Sequence, residues 1–372
     1  MRIGVPKESN NGEKRVAATP DSIKRLRAKF KALTILVESG AGAQAFFPDA
    51  AYTAAGAEIA DTQAAFDADI VLKVQRPTEN EVARMHRGAL LISHIEPFSD
   101  DKLMEKLAAA GVNAIGLELI PRISRAQSMD VLSSQANIAG YRAVLEAAVH
   151  YGRFFPTMMT AAGSAKPARL IVLGAGVAGL QAIATARRLG CNVEAFDIRP
   201  EVKEQILSLG AKFIELDIGD EDGAGEGGYA KELSEEGKAR QQQALTERLK
   251  KADIVVSTAL IPGRPAPELI TEDAVKGMAP GSVIVDLAAA NGGNCRLTEA
   301  GKSVVKHDVT LIGNTNFPAV MPADASNFYG RNLVNLLAIL INAEGALNLD
   351  LQDEIVDKAL VTHEGTVRFK RA

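Results

Sequence analysis

The 372-residue sequence predicts an α/β protein built from two doubly wound parallel-sheet domains with a cleft between them. Three observations predict it. Short β-rich runs alternate with helical patterns along most of the chain, the alternation comes as two series, and a glycine-rich turn opens the second series between an apolar run and a helical pattern. A composition of 47% hydrophobic and 24% charged residues supplies apolar material for a large core, and the length suits about two domains.

The first series contains "RIGV" at 2–5, "TILVE" at 34–38, "DIVLKV" at 69–74, "ALLIS" at 89–93 and "NAIGLEL" at 113–119. Helical patterns separate them. In "TPDSIKRLRAKF" Thr19 caps and Pro20 opens a helix. The second series contains "RLIVLG" at 169–174, "NVEAFD" at 192–197, "KFIEL" at 212–216, "DIVVSTA" at 253–259, "SVIVDLA" at 282–288 and "VTLIG" at 309–313.

Two long helical patterns flank this series, at 132–155 and 324–347. Read as crossing struts, they return the last residues to the first domain: residues 1–131 plus 322–372 form one domain and 132–321 the other. The patch "GDEDGAGEGGYAKELSEEGKARQQQ" at 219–243 is rich in glycine and like charge, which argues for a mobile loop.

Composition narrows the function. A formal net charge of −4, five tyrosines and no tryptophan leave neither a basic footprint nor stacking platforms, so nucleic acid is excluded as a partner. Cys191 and Cys295 lie far apart in sequence and read as reduced thiols, which fits a cytoplasmic location. The N-terminal stretch carries no apolar targeting segment. The longest apolar stretch, "NLVNLLAILI" at 332–341, is half of the ~20 residues a spanning helix needs, so no membrane span is expected. The five histidines, His86, His94, His150, His307 and His363, show no metal-ligand spacing.

The glycine-rich turn carries the chemistry. G-x-G-x-x-G alone is weak evidence in a chain with 32 glycines. Here Gly174, Gly176 and Gly179 follow an apolar run and open a helix, and the next strand ends at Asp197, the spacing of a Rossmann-type dinucleotide site. Gly174 permits the tight turn, Gly176 the approach of a pyrophosphate and Gly179 close packing of helix on strand; Ala175 and Val177 complete the turn. Asp197 is placed to accept hydrogen bonds from the adenine ribose and to repel a 2′-phosphate, which selects NAD(H). Arg199, beyond Ile198, leaves two readings open: a partner for a 2′-phosphate, or a side chain facing solvent or stacking on adenine.

The stretches "PRISRAQSMDVLSSQANIAGYRAV", "GAGVAGLQAIATARRLG", "FDIRPEVKEQ", "GGYAKE", "TALIPGRPAP", "VDLAAANGGNC" and "GEKRVAATP" span most of the chain. Together they resemble the soluble NAD(H)-binding component of proton-translocating nicotinamide nucleotide transhydrogenase, in the alanine dehydrogenase/transhydrogenase family. The resemblance implies two Rossmann-like domains and a homodimer on the cytoplasmic face of the inner membrane. It also implies a membrane-embedded proton-channel subunit and a separate NADP(H)-binding subunit as partners, with direct hydride transfer from NADH to NADP⁺ coupled to proton movement.

By the same resemblance Arg122, Gln127, Asp130 and Ser133 hold the nicotinamide ribose and carboxamide, and Tyr229, after Gly228, belongs to a mobile loop that folds over bound nucleotide. Ala259 and Leu260, after a strand of the second domain, pack against adenosine or nicotinamide; the alternative for them is plain core.

Alanine dehydrogenase is the rival, and it makes a residue-level demand, since oxidising an amine requires groups that bind a carboxylate and move protons. Arg15 matches the arginine that would grip the carboxylate. The remaining positions depart: Gln75 stands where a lysine is expected, Glu96 where the histidine falls, with His94 two residues early, and Ala290 where the aspartate falls. Arg15 therefore reads as inherited scaffold. Asp286, ending an apolar run, is either catalytic or held in structural hydrogen bonds. A third reading, an NAD(H)-sensing module without turnover, stays open on sequence alone.

Overall fold

The computed structural model describes residues 1–10, 12–99, 101–216, 235–261, 263–342 and 344–370, apart from the side chains of Asp101 and Glu235. Tyr229 and Gly228 lie outside the described residues, as does most of the glycine- and charge-rich patch. The strands, in chain order, are β1 (Arg2–Val5), β2 (Thr34–Glu38), β3 (Glu58–Ala60), β4 (Ile70–Leu72), β5 (Leu90–Ser93), β6 (Asn113–Gly116), β7 (Met158–Thr160), β8 (Gly163–Ala165) and β9 (Arg169–Leu173). They continue with β10 (Asn192–Phe196), β11 (Lys212–Phe213), β12 (Ile254–Ser257), β13 (Val283–Asp286), β14 (Ser303–Lys306), β15 (Val309–Ile312), β16 (Leu360–His363) and β17 (Thr366–Val367).

The chain divides into two compact units, Met1–Gln135 with Pro318–Ala372 and Ala136–Phe317, called unit 1 and unit 2. Unit 1 holds one sheet in the order β17-β16-β6-β5-β4-β1-β2-β3. From β3 to β6 every neighbouring pair is parallel, while β16 pairs antiparallel with both β6 and β17. The run 3-2-1-4-5-6 is the doubly wound order, which puts helices on both faces. Side-chain alternation shows the same thing: Ile70, Leu72, Leu90 and Ile92 enter a core with Ile23, Leu26 and Tyr329, while Val71 and Leu91 enter another with Phe66, Leu103 and Val361.

Thr19 caps the helix Pro20–Lys29 in a reciprocal capping box with Ser22. The run at 113–119 stops being a strand at Gly116 and turns into a short 3₁₀ segment, Leu117–Leu119.

Unit 2 repeats the plan. Its sheet order is β11-β10-β9-β12-β13-β15-β14, parallel except for the β14–β15 pair. Leu170, Val172, Val193, Ile254 and Val256 face one core and Ile171, Leu173, Val255 and Ile284 the other. A separate exposed hairpin pairs β7 with β8. Cys191 and Cys295 are buried free thiols; burial pushes them up to about 12 and about 11 respectively, so both are protonated at neutral pH. Among the described residues no helix is long and apolar enough to cross a membrane.

Candidate functional site

The unit 2 site forms where the strand order reverses. β9 is flanked by β10 on one side and β12 on the other, with Leu173 opposite Phe196 and Ser257 opposite Leu173. Gly174, Asp197 and Thr258 therefore leave the same sheet edge side by side, the edge at which doubly wound sheets bind ligands.

Gly174 adopts φ +90°, a conformation that disfavours any side chain, and a Cβ there would lie 2.8 Å from the Thr258 Oγ1. Thr258 donates that hydroxyl to the Gly174 carbonyl at 2.9 Å, tying the turn to the end of β12. Gly179 is a packing requirement, because a Cβ on it would stand 1.8 Å from the Gly174 oxygen.

Gly176 differs. Its φ is −75° and an added Cβ would meet nothing within 4 Å, so the fold itself has no need of glycine there. It opens the helix Val177–Arg188, whose N-terminus has no side-chain cap and no acidic residue in the first turn. Among the described residues five other helices are capped by Thr19, Asp61, Thr78, Thr271 and Asp353, whereas Asp49–Ala54, Lys203–Ser208 and Pro322–Leu340 also start without a side-chain cap. An uncapped N-terminus beside open space suits an anion such as pyrophosphate. Val177 is partly exposed at this end, as are Ile198 and Leu260 beyond the strand ends.

Asp197 is buried and locks the turn by accepting the Ala175 N–H at 2.7 Å. Arg199 is exposed to solvent and is also tied to Asp197. Its guanidinium clamps Asp197, with Nε donating at 3.0 Å and Nη2 at 2.9 Å. Burial pushes the Asp197 carboxyl up, but the hydrogen bonds from Arg199 and Ala175 outweigh it and hold the group below the usual carboxylate range.

Two residues of this edge were not legible as site residues. Asn294 is fully buried; its Oδ1 accepts the Ala259 N–H at 3.1 Å and its Nδ2 donates to the Ala259 carbonyl at 2.9 Å and the Pro267 carbonyl at 2.8 Å. It sets the backbone of the loop holding Ala259 and Leu260. Thr258 is the other. Asp286, by contrast, is spent inside: it accepts from Ser257, Ala288, Cys295 and Thr298, so its role is structural.

In unit 1 the stretch at 121–130 folds into a 3₁₀ segment, Ser124–Met129, pinned by the buried side chains of Ala126 and Met129. Asn332 and Asn335 both donate to the Ser128 carbonyl, and Arg125 makes a bidentate pair with Asp353 at 2.7 Å. Asp130 accepts from the Ser133 N–H at 2.9 Å and the Ser133 hydroxyl at 2.6 Å, starting the helix Val131–His150. The exposed side chains of Arg122 and Gln127 have no hydrogen-bond partner among the described residues. The stretch thus sorts itself: Arg125 and Ser128 serve the fold, while Arg122 and Gln127 remain free donors.

Residues 4–139 match the pattern of the N-terminal domain, and residues 143–370 that of the C-terminal domain, of alanine dehydrogenase/PNT. The chain belongs to the alanine dehydrogenase/PNT family. This is a family of NAD(H)-binding, dehydrogenase-like oxidoreductases, and within it the likeness is uneven. The chain is 50% identical to an NAD(P) transhydrogenase subunit alpha chain of Rhodospirillum rubrum, over 99% of this chain and 97% of that one. It superposes on the structure of a transhydrogenase from Sinorhizobium meliloti with TM-score 0.89 at 45% identity, covering 99% of this chain and 100% of that one. Against alanine dehydrogenase of Mycolicibacterium smegmatis the identity is 29%, over 98% of this chain and 94% of that one. The chain thus sides with the transhydrogenase alpha subunits.

The family position Arg15 is 5% exposed, and its guanidinium is engaged within unit 1. Nε and Nη2 donate to Glu13 at 2.9 and 2.8 Å, and Nη1 donates to Gln135 at 2.9 Å. Gln75 donates to the same Glu13 at 2.7 Å. Glu96, at φ +55°, pairs with Arg76 and is half exposed, and Ala290 is exposed. His94 lies 3.7 Å from Glu118.

Proposed function

We propose that this chain is the NAD(H)-binding component of a proton-translocating transhydrogenase. It passes hydride from NADH to NADP⁺ held on a separate NADP(H)-binding component, and a membrane-embedded proton-channel subunit couples the transfer to proton movement. On this reading it acts as a homodimer at the cytoplasmic face of the inner membrane.

The observation that carries the choice over amine oxidation is the set of side chains at the proton-handling positions. Gln75 and Ala290 do not titrate, and Glu96 is turned into a surface ion pair. Amine oxidation without proton carriers is not viable, whereas hydride transfer between two nicotinamides needs placement alone, with the reacting atoms ~3–3.5 Å apart.

The residues fit the dinucleotide. Open space at Gly176 and the uncapped helix start receive the pyrophosphate, Asp197 receives the adenine ribose, and Ala259 and Leu260 flank it. Arg122, Gln127, Asp130 and Ser133 hold the nicotinamide ribose and carboxamide, Arg122 and Gln127 as free donors and Asp130 as an acceptor oriented by Ser133. The bound cofactor supplies the hydride, and the chain supplies orientation.

The test mixes this chain with a purified NADP(H)-binding component and follows hydride transfer from NADH to an NADP⁺ analogue. Transfer is expected, with no NADH oxidation when pyruvate and ammonia are given to this chain alone. The opposite pair of results overturns the reading.

A further inference from the structure

Asp197 has no acceptor capacity to spare. Oδ2 takes the Ala175 N–H at 2.7 Å and Arg199 Nη2 at 2.9 Å; Oδ1 takes the Arg199 N–H at 2.9 Å and its Nε at 3.0 Å. An ionised carboxylate offers about four lone-pair sites, so these donors fill it. A ribose diol has to donate into the same two oxygens, and something must yield.

Two of the four donors are backbone amides of the glycine turn and the β10 end, fixed by the fold. The other two belong to a guanidinium whose side chain is 46% exposed while the carboxylate beneath it is 5% exposed. The guanidinium is the piece able to move. We propose that Arg199 is a specificity-determining residue. Its guanidinium is a resident stand-in for the ribose hydroxyls on Asp197, gives way to an unphosphorylated ribose, and sets how strongly the site rejects a 2′-phosphate. This rests on the NAD(H)-binding reading above.

The charge argument follows from the pairing. With Arg199 in place Asp197 is neutralised and its repulsion of a phosphate is blunted. Without Arg199 the carboxylate is bare, so its oxygens are open to hydroxyl donors and its field opposes a 2′-phosphate in full. Without the Asp197 charge, Arg199 becomes an unpaired planar fork beside the ribose position, the geometry that matches phosphate oxygens bidentately. Selectivity is then a property of the pair.

The experiment measures equilibrium affinities of the full chain for NADH and for NADPH, through their own fluorescence. It compares wild type, Arg199→Ala, Arg199→Lys, Asp197→Asn and the double variant Asp197→Asn/Arg199→Ala. Removing the stand-in should tighten NADH binding about three- to tenfold and widen the NADH-over-NADPH preference. Lysine, a charge without the fork, should fall between wild type and alanine. Asp197→Asn should bind NADPH about tenfold or more tightly than wild type, and the double variant should lose that gain.

An Arg199→Ala chain that binds NADH no better than wild type overturns the proposal. So does equal NADPH affinity in Asp197→Asn and the double variant. If wild type itself fails to bind NADH, the NAD(H)-binding reading falls along with it; if wild type binds NADH while the variants show no such differences, only the role of Arg199 falls.

Discussion

Glu8 and Glu13 share one buried cluster of unit 1 and titrate in opposite directions. Burial pushes Glu8 up, and Lys73, 3.1 Å away, does not offset it. Burial also pushes Glu13 up, but hydrogen bonds and charge from Arg15, with Gln75 adding to them, carry it from 4.5 down to about 2. A carboxyl lowered on folding stabilises the protein above its unfolded value, and that contribution disappears as pH falls through its folded value; for the raised Glu8 the sign is reversed, with stability lost as pH rises. Unfolding free energy measured in urea should therefore drop by about 3 kcal/mol between pH 4.5 and pH 2 on account of Glu13. Glu13→Gln should be less stable at neutral pH by roughly 3–5 kcal/mol, because the buried Arg15 loses the Glu13 carboxylate, and should lack that acid-range drop. An unchanged acid slope in the variant would refute the assignment. Asn294→Ala should cost about 1–3 kcal/mol and raise the KM for NADH, because the Ala259 backbone loses both of its Asn294 hydrogen bonds; an unaltered KM would show that the loop keeps its shape without them. The contrast between Asn294 and Asp197 explains what the sequence discloses. Asp197 is legible because glycine turn, helix start and strand end fall in one short window with a fixed spacing, whereas Asn294 reaches its partner across 35 residues and leaves no local mark.

The glycine turn is an element whose three glycines answer to three causes, and substitution separates them. Gly179→Ala drives a methyl to 1.8 Å from a backbone oxygen, so the helix Val177–Arg188 must lift off β9 and unit 2 should lose several kcal/mol or fail to fold. Gly140→Ala should behave alike, its Cβ falling 2.0 Å from the Ala178 oxygen. Gly176→Ala meets nothing within the protein and has ordinary backbone angles, so its melting temperature should stay within a few degrees of wild type while NADH binding falls tenfold or more. Thermal melts with NADH titrations check all three, and a Gly176→Ala chain with intact affinity would remove the pyrophosphate from that position. Elements also show where sequence reading stops. Buried parallel strands such as β9, β12 and β13 are apolar runs bounded by turns and read directly. Several others escape: β3 is three residues with two exposed, β7 is exposed throughout, β14 alternates on an open edge, and β16 is recruited from far along the chain to pair with β6. Their pairing is decided by neighbours, not by their own composition.

At the scale of the whole molecule, each unit carries its own sheet and cores, and the residues proposed for the two ends of the dinucleotide fall in different units: Gly174, Gly176 and Asp197 in unit 2, Arg122, Gln127 and Asp130 in unit 1. Both doubly wound sheets were legible from the alternation of strands and helices, since that alternation is repeated many times over and survives the loss of any one element. The division of ligand-binding labour is a separate claim, and a truncated ligand tests it. ADP-ribose retains the adenosine, pyrophosphate and second ribose but lacks the nicotinamide, so it should slow amide hydrogen exchange around residues 174–199 and 258–260. NADH should do the same and protect residues 122–133 more strongly than ADP-ribose does, because only the complete dinucleotide offers the carboxamide as well as the second ribose to Arg122 and Gln127. At a hundredfold excess over the dissociation constant, either ligand contributes about 2.7 kcal/mol to the state that binds it, large enough to read peptide by peptide. Equal protection of 122–133 by both ligands would confine Arg122 and Gln127 to the ribose. Absence of protection there with NADH would detach the whole stretch from the cofactor and leave unit 2 as the sole binder.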